Sequence, residues 1–551
     1  VSDPEPADIP DLLSATPTKR IDVAGLRQAL VFAFAAGGSI DTFDDALANA
    51  ILPESSWDRS EFARDVYLDE LVSRGLSVHI EGRQQRTSSR YLTRVLSAPP
   101  RDSADVETRR DVLRELAASA GARRELERVY LAIVRLRSLL CAARQPAPRV
   151  RRVEILRASR EAFELLAASF DESHSALSRL RAFGRTVVSS PGHTRLAAFL
   201  DHDEHLGSLD LRVRVGSDGE VRAMEIVRIR EDTGNPFHVS VIRRFIVRLI
   251  LFFRGYRTTG GEVAERLLSE VFAGVEEPVA LLFQLLGDIE LYLGSLGFRD
   301  RAQRAGLEVS LPDGRSPASP EPGRNLDVAH EKPLELHGLF NPLLLAAGVT
   351  PVTSDVKAKP GSVVIVTGPN SGGKTRLLQA IAIAQLFAEA GLFVPVRSAC
   401  IPRATGLFAS LYEEARSDAP EGHLGMELLR IRRMFDEVGA GSLVVLDELC
   451  SGTNPSEGEE IARLVLSLLP ELGVQAFVTT HLLKFAAELA QERPFPSLDF
   501  LQVELDALER PTYRFMPGVA KTSLAQKTAA RLGVTREELL ERILAKKRAA
   551  E

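Results

Sequence analysis

The chain has 551 residues, 45% of them hydrophobic and 26% charged, and a formal net charge of −6. That length suits roughly three domains with filled cores, and so small a charge neither marks a globally nucleic-acid-binding protein nor excludes a local basic face. Three cysteines, Cys141, Cys400 and Cys450, without a Cys-x-x-Cys pair, fit a reducing compartment and argue against structural zinc.

Val1-Ser2-Asp3-Pro4-Glu5-Pro6 is acidic and proline-rich, the opposite of a signal peptide. A first residue that is Val rather than Met suggests a trimmed or misassigned start. Residues 1–20 read as a disordered tail, and short helices follow, such as Val23 to Phe34 and Glu61 to Ser73. A helix through Leu92 and Leu96 stops at Pro99-Pro100. Leu126, Val129, Tyr130, Ile133 and Leu140 then share one helical face, and Val153 to Phe170 repeats the pattern. Arginines stud the other faces: Arg123, Arg124, Arg135, Arg137, Arg144, Arg149, Arg151, Arg152, Arg157 and Arg160. They read either as a solvated face balanced by nearby glutamates or as a surface for DNA phosphates.

From Leu209 the period changes to alternation, with a turn at Gly216-Ser217-Asp218-Gly219 and a return over Val221 to Ile229, so a β-hairpin is expected among the helices. Helices resume from Val239 to about Phe298. The most apolar run, Phe245 to Phe253, carries Arg248 and is too short to span a bilayer, so a cytoplasmic protein without a membrane partner is expected. Pro317, Pro320 and Pro322 mark a linker. The last third alternates strands (Val363–Val366, Leu392–Val396, Gly406–Leu411, Ser442–Asp447, Val474–Thr479) with helices (Thr375–Glu389, Met426–Val438, Ser456–Leu469, Leu482–Ala490), an α/β P-loop layout. The domain reading is a tail over 1–20, a mostly α-helical region with a small β-hairpin insertion over 21–311, and a linker over 312–335. An α/β P-loop domain over 336–511 and a C-terminal helical segment over 512–551 complete it.

Three motifs carry chemistry. The apolar strand Val363–Val366 runs into Gly368-Pro369-Asn370-Ser371-Gly372-Gly373-Lys374-Thr375, the G-x-x-x-x-G-K-T of a phosphate cradle. Backbone N–H groups there can surround the β-phosphate of ATP, Lys374 can reach the β/γ oxygens, and the Thr375 hydroxyl can hold Mg²⁺. About 70 residues further on, Leu443-Val444-Val445-Leu446 ends in Asp447-Glu448, as a Walker B strand does. Asp447 suits Mg²⁺ and Glu448 suits activation of the attacking water. A third apolar strand ends in Thr479-Thr480-His481, which offers His481 to the γ-phosphate or the water.

Taken together these motifs, with Ser451-Gly452-Thr453-Asn454-Pro455 and the tail Pro517-Gly518-Val519-Ala520-Lys521-Thr522-Ser523, resemble the ATPase of the MutS family. The likeness is strong over roughly 336–551 and weaker over about 50–310, where Leu96 to Leu116 and Leu126 to Leu140 are similar to the family's core and lever helices. It implies an ABC-like ATPase that homodimerises through these domains and couples ATP hydrolysis to clamping on DNA, in mismatch repair or recombination-related maintenance. It also implies Asn370 beside the γ-phosphate, Lys374 and Thr375 on phosphate and Mg²⁺, Glu448 as base and His481 near the water.

Two departures stand out. Gly422, in Gly422-His423-Leu424-Gly425-Met426-Glu427, occupies the position of the family's signature serine, whose segment completes the partner's site. No Phe-x-Glu wedge is found either, so a mismatch-reading domain of the usual kind is not expected. Leu334-Glu335-Leu336-His337-Gly338 is similar to a nuclease motif of small MutS-related domains, but it stands just before the ATPase strands and reads as their leading strand. A nucleotide-dependent switch that binds a protein partner and has no DNA role is the alternative.

Overall fold

Val363–Thr367 is a run of β-branched side chains buried on every residue, as a strand covered on both faces must be. In the computed structural model it lies inside a six-stranded sheet. The structure describes residues 9–55, 57, 62–142, 148–205, 209–215, 221–229, 268–312, 332–411, 423–449, 454–521 and 534–550. The sheet strands, in chain order, are β1 (Val363–Thr367), β2 (Leu407–Ser410), β3 (Leu443–Leu446), β4 (Gln475–Thr480), β5 (Leu498–Leu505) and β6 (Pro511–Pro517), and they lie in the order β6-β5-β1-β4-β3-β2. All neighbours pair parallel except β5 with β6. Helix α1 (Lys374–Ala390) follows β1, α2 (His423–Glu437) follows β2, α3 (Pro455–Leu468) follows β3 and α4 (Leu483–Glu492) follows β4. Val444, Leu446, Ala476, Val478, Leu466, Phe485 and Leu489 belong to one buried cluster between strands and helices. Parallel strands need such crossover helices, and the helices in turn bury the sheet.

The chain divides into two compact units, residues 1–51 with 114–290 and residues 52–113 with 291–551. This division cuts the region 21–311 read from the sequence, because 52–113 and the second part of helix Glu276–Arg304 group with the sheet. In the unit that holds the sheet, Trp57 is buried, its indole N–H donates to Ala404 O at 3.0 Å, and its ring meets Phe62 edge-on. Asp65 Oδ1 accepts the Leu411 N–H at 2.8 Å, just past β2. Arg109 and Arg110 donate to Ala390 O (3.3 Å) and Ala388 O (2.9 Å), carbonyls in the last turn of α1, where Ala388 O also accepts the N–H of Gly391 at 3.2 Å.

In the other unit, residues 9–20 correct the expected free tail. Leu12 and Leu13 are fully buried, and Arg20 pairs with Asp288 at 2.5 Å and Asp11 at 3.3 Å, all three out of solvent. The prolines obscured an apolar anchor. Eight of the ten arginines named on these helix faces have a partner in the protein, and Arg149 is exposed. Arg123, Arg135, Arg137, Arg157 and Arg160 pair with carboxylates, while Arg124, Arg151 and Arg152 donate to backbone carbonyls. Arg151 alone reaches Ala33 O and Phe34 O, each at 2.9 Å, at the end of helix Val23–Ala36. Arg144 lies outside the described residues.

Further differences are local. Leu392–Val396 is buried but carries a single bridge, Val394 to Ser310, because Pro395 lacks a donor, and the neighbouring strand is Ser398–Cys400. The helix expected over Glu61 to Ser73 breaks at Tyr67, whose φ is +53°, and continues into a π-turn at Leu71–Gly75. Of the expected helical segment 512–551, residues 512–517 belong to strand β6 and Arg536–Ala550 is helix. Within that segment residues 522–533, and within the helical run expected from Val239 to about Phe298 residues 239–267, fall outside the described residues. The expected hairpin is present as Leu209–Val215 paired antiparallel with Val221–Ile229. Among the described residues, Glu276–Arg304 is long and apolar enough to cross a membrane, and its apolar window is wholly buried in the protein.

Candidate functional site

Strands β1, β3 and β4 are neighbours, so their C-terminal ends bring all three sequence motifs to one sheet edge. The loop after β1 owes its shape to glycine. Gly368 has φ +145°, and a Cβ there would come within 2.5 Å of Val503 Cγ2 on β5. Gly373 stands at the start of α1 with φ +87°. Gly368 and Pro369 are buried, whereas Asn370 and Ser371 are exposed at the tip. The loop is therefore closed on the sheet side and open on the other.

Lys374 is the first residue of α1, and its side chain is buried. Its Nζ donates to Gly368 O (3.0 Å) and Pro369 O (3.3 Å) and lies 3.9 Å from Glu448 Oε1. Burial pushes its pKa below the ordinary lysine value, while Glu448 and Asp447 pull it back up. Thr375 Oγ1 donates to Asp447 Oδ2 at 2.6 Å, and Thr479 Oγ1 contacts Asp447 Oδ1. Glu448 adopts φ +50°, uncommon for a residue with a Cβ, and its N–H donates to Thr479 Oγ1 at 2.8 Å. Its carboxylate is one-third exposed. His481, partly exposed, follows β4 at a turn in which Thr480 Oγ1 accepts the Leu482 N–H at 3.0 Å. Asp447 is also held through its backbone, its N–H donating to Ser410 O at 2.9 Å on β2.

The structure thus gathers Lys374, Thr375, Asp447 and Glu448 within contact distance and sets His481 at the end of the adjacent strand. Gly422 and Cys450 to Thr453 lie outside the described residues, so the segment expected to complete a second site is not described at its first residue. Two residues escaped the sequence reading. Thr479 stood in the third motif with no role, and Tyr513 lay in a stretch read as helix. Tyr513, on β6, has φ +61° and is half exposed, and its Cδ1 would be 3.4 Å from a Cβ on Gly373. An aromatic residue between Pro511 and Pro517 was the available signal. A hydroxyl and a carboxylate sharing a hydrogen bond beside a buried lysine supply hard oxygen donors of the kind that hold Mg²⁺, next to a cation for phosphate.

Comparison with known proteins bears on residues 364–545, which match the family model for MutS domain V. Among curated proteins the chain is 36% identical over 208 residues to Endonuclease MutS2 of Thermus thermophilus, covering 38% of this chain and 27% of that protein. It is 31% identical over 233 residues to Endonuclease MutS2 of Thermomicrobium roseum, covering 41% and 28%. With the protein of the same name from Streptococcus thermophilus it shares 31% identity over 212 residues, covering 38% and 26%. The aligned stretch therefore spans little more than a quarter of each relative.

Proposed function

We propose, from the match of residues 364–545 to MutS domain V and the likeness to MutS2 proteins, that this MutS-like chain is a DNA-associated ATPase whose hydrolysis site lies at the C-terminal edge of β1, β3 and β4. The observation that carries this reading is the single cluster of Lys374, Thr375, Asp447 and Glu448. Gly368 to Thr375 bind the phosphates of ATP, with Lys374 turning from the loop carbonyls to the β/γ oxygens and Asn370 beside the γ-phosphate. Thr375 and Asp447 would hold Mg²⁺, which when bound offsets phosphate charge. Glu448 accepts a proton from the attacking water, and His481 hydrogen-bonds near the γ-phosphate. Tyr513 offers its exposed ring to the base or ribose. The P-loop, ABC-like arrangement and homodimerisation through this domain, with the segment from Gly422 facing the partner's site, belong to the same proposal.

No nuclease step is included. The relatives' name covers proteins of which the aligned stretch is about a quarter, and Leu334–Leu339, which carries Glu335 and His337, is the middle strand of a three-stranded sheet in the unit that holds the ATPase sheet. A second reading, a nucleotide switch acting on a protein partner, is favoured by the arginines already engaged with carboxylates and carbonyls.

Two measurements test these readings. Lys374→Ala should abolish ATP binding, and Glu448→Gln should bind ATP and lose turnover, since it removes the base and spares the cradle. Wild-type-like turnover in Glu448→Gln would sink the assignment of the base. A panel of mismatched, branched, single-stranded and plain duplex DNA, titrated with salt and each nucleotide, separates the two readings. DNA affinity that falls steeply with salt supports the first, and no binding to any member supports the second.

A further inference from the structure

We propose that Thr479 is a positioning residue which sets both acidic groups of the hydrolysis site with one hydroxyl. The proposal deepens the ATPase reading and rests on it. Thr479 is wholly buried near the end of β4, where its backbone pairs with Val366 of β1. Its Oγ1 lies 2.8 Å from Glu448 N and 2.5 Å from Asp447 Oδ1. Chemistry fixes the sense of both bonds. A backbone N–H can only donate, so the hydroxyl oxygen accepts from Glu448. An ionised carboxylate can only accept, so the hydroxyl proton goes to Asp447. One hydroxyl is thereby committed in both roles.

The consequences differ for the two acids. Asp447 has Oδ1 on Thr479 and Oδ2 on Thr375, so its carboxylate plane is held from both sides before any metal arrives. That leaves the other lone pairs of Asp447 aimed by the protein rather than by the ion. Glu448 is held differently. Its backbone stands at φ +50°, a region that L residues enter when the surroundings impose it, and the bond from its N–H to Thr479 is the contact that pins it there. The turn at Glu448 directs its carboxylate away from the strand axis, toward Lys374 at 3.9 Å. Thr480 does something else, since its hydroxyl accepts from Leu482 N and shapes the turn that carries His481.

The test uses the full chain. Thr479→Val keeps the β-branched shape and removes both hydrogen bonds, and Thr479→Ser keeps the hydroxyl and removes only a methyl. Two readouts are taken: steady-state ATP turnover, and fluorescence-detected binding of mant-ATP titrated with Mg²⁺. For Thr479→Val, kcat is expected to fall about tenfold or more with KM changed less than about threefold, and the Mg²⁺ concentration for half-maximal binding to rise several-fold. Thr479→Ser is expected to recover turnover to within about threefold of wild type. A Thr479→Val protein within about twofold of wild type on both readouts would overturn the proposal. So would a Thr479→Ser protein as impaired as Thr479→Val, because packing of the methyl group would then explain the loss. If Thr479→Val does not fold, Thr479→Ala removes the same hydroxyl and decides by the same criteria. A wild-type protein without turnover would refute the ATPase reading, and the Mg²⁺ titration would still decide whether Thr479 positions Asp447.

Discussion

Arg20→Ala takes a guanidinium from between two carboxylates that have no access to water. Arg20 is 2% exposed, and Asp11 and Asp288 are each at 0%. Breaking a buried pair from one side costs about 3–5 kcal/mol, since the remaining charge keeps its desolvation penalty and loses its partner. The pH dependence has a definite sign. Burial already pushes Asp288 above its ordinary 3.8, with Arg20 pulling it back down and Asp11 adding to the rise. Without Arg20 the upward push is opposed only by the hydrogen bond from Leu12 N–H, so the Asp288 pKa rises further. A carboxyl whose folded pKa exceeds its unfolded one binds more protons when folded, so its penalty is complete above the raised folded value and disappears as pH falls toward 3.8. Urea unfolding of wild type and Arg20→Ala, followed by circular dichroism at pH 8 and at pH 5, should therefore show a large loss at pH 8 and a smaller one at pH 5. Cleavage within residues 9–20 by a nonspecific protease should accelerate in parallel. A loss below about 1 kcal/mol at pH 8, or one that grows on acidification, would refute the reasoning.

Other substitutions probe the nucleotide site and the far end of α1. Gly368→Ala should lose mant-ATP binding through its clash with Val503, and adding Val503→Ala should restore only part, because the strain at φ +145° stays; full restoration would contradict this account. Arg110→Ala should lower unfolding stability by about 1 kcal/mol, since it removes one of two hydrogen bonds to Ala388 O at the end of α1 and leaves the one from Gly391 N–H, a loss read by urea titration. Tyr513→Ala should weaken ATP affinity several-fold with kcat retained, and unchanged affinity would remove Tyr513 from the site. Because burial lowers the Lys374 pKa, ATP affinity should begin to fall as pH rises before the ordinary lysine value of 10.5 is reached, and affinity that is flat up to that value would contradict the burial argument.

The parts of the fold that the sequence disclosed were those with redundant signals. Val363 to Thr367 is β-branched and buried on both faces, and it meets a loop whose Gly368 has no room for a Cβ beside Val503. Strands β3 and β4 were read in the same way, each from an apolar run ending in polar residues. The hairpin of β5 and β6 escaped because its turn uses no glycine. Asp506 Oδ1 accepts the N–H groups of Leu508 and Arg510, and Glu509 takes the left-handed conformation with φ +56°. Side-chain hydrogen bonding there replaces the usual Asn-Gly or Asp-Gly signal. The anchoring of residues 9–20 depends on partners distant in sequence, such as Asp288, which no local window contains. Thr479 was visible as part of a motif, but its double commitment depends on Glu448 turning left-handed, which arises only once β3 and β4 are side by side.

Trp57 gives the molecule an intrinsic optical probe. The chain has a single tryptophan, and it is held by Ala404 O on the segment leading into β2. Its emission therefore reads, without a label and without background from other indoles, whether residues around 57 stay fastened to the edge of the sheet. Blue-shifted light signals the docked indole and a red shift signals its release into water. A nucleotide titration followed at that one wavelength band would show whether events at Lys374 reach the far edge of the same sheet.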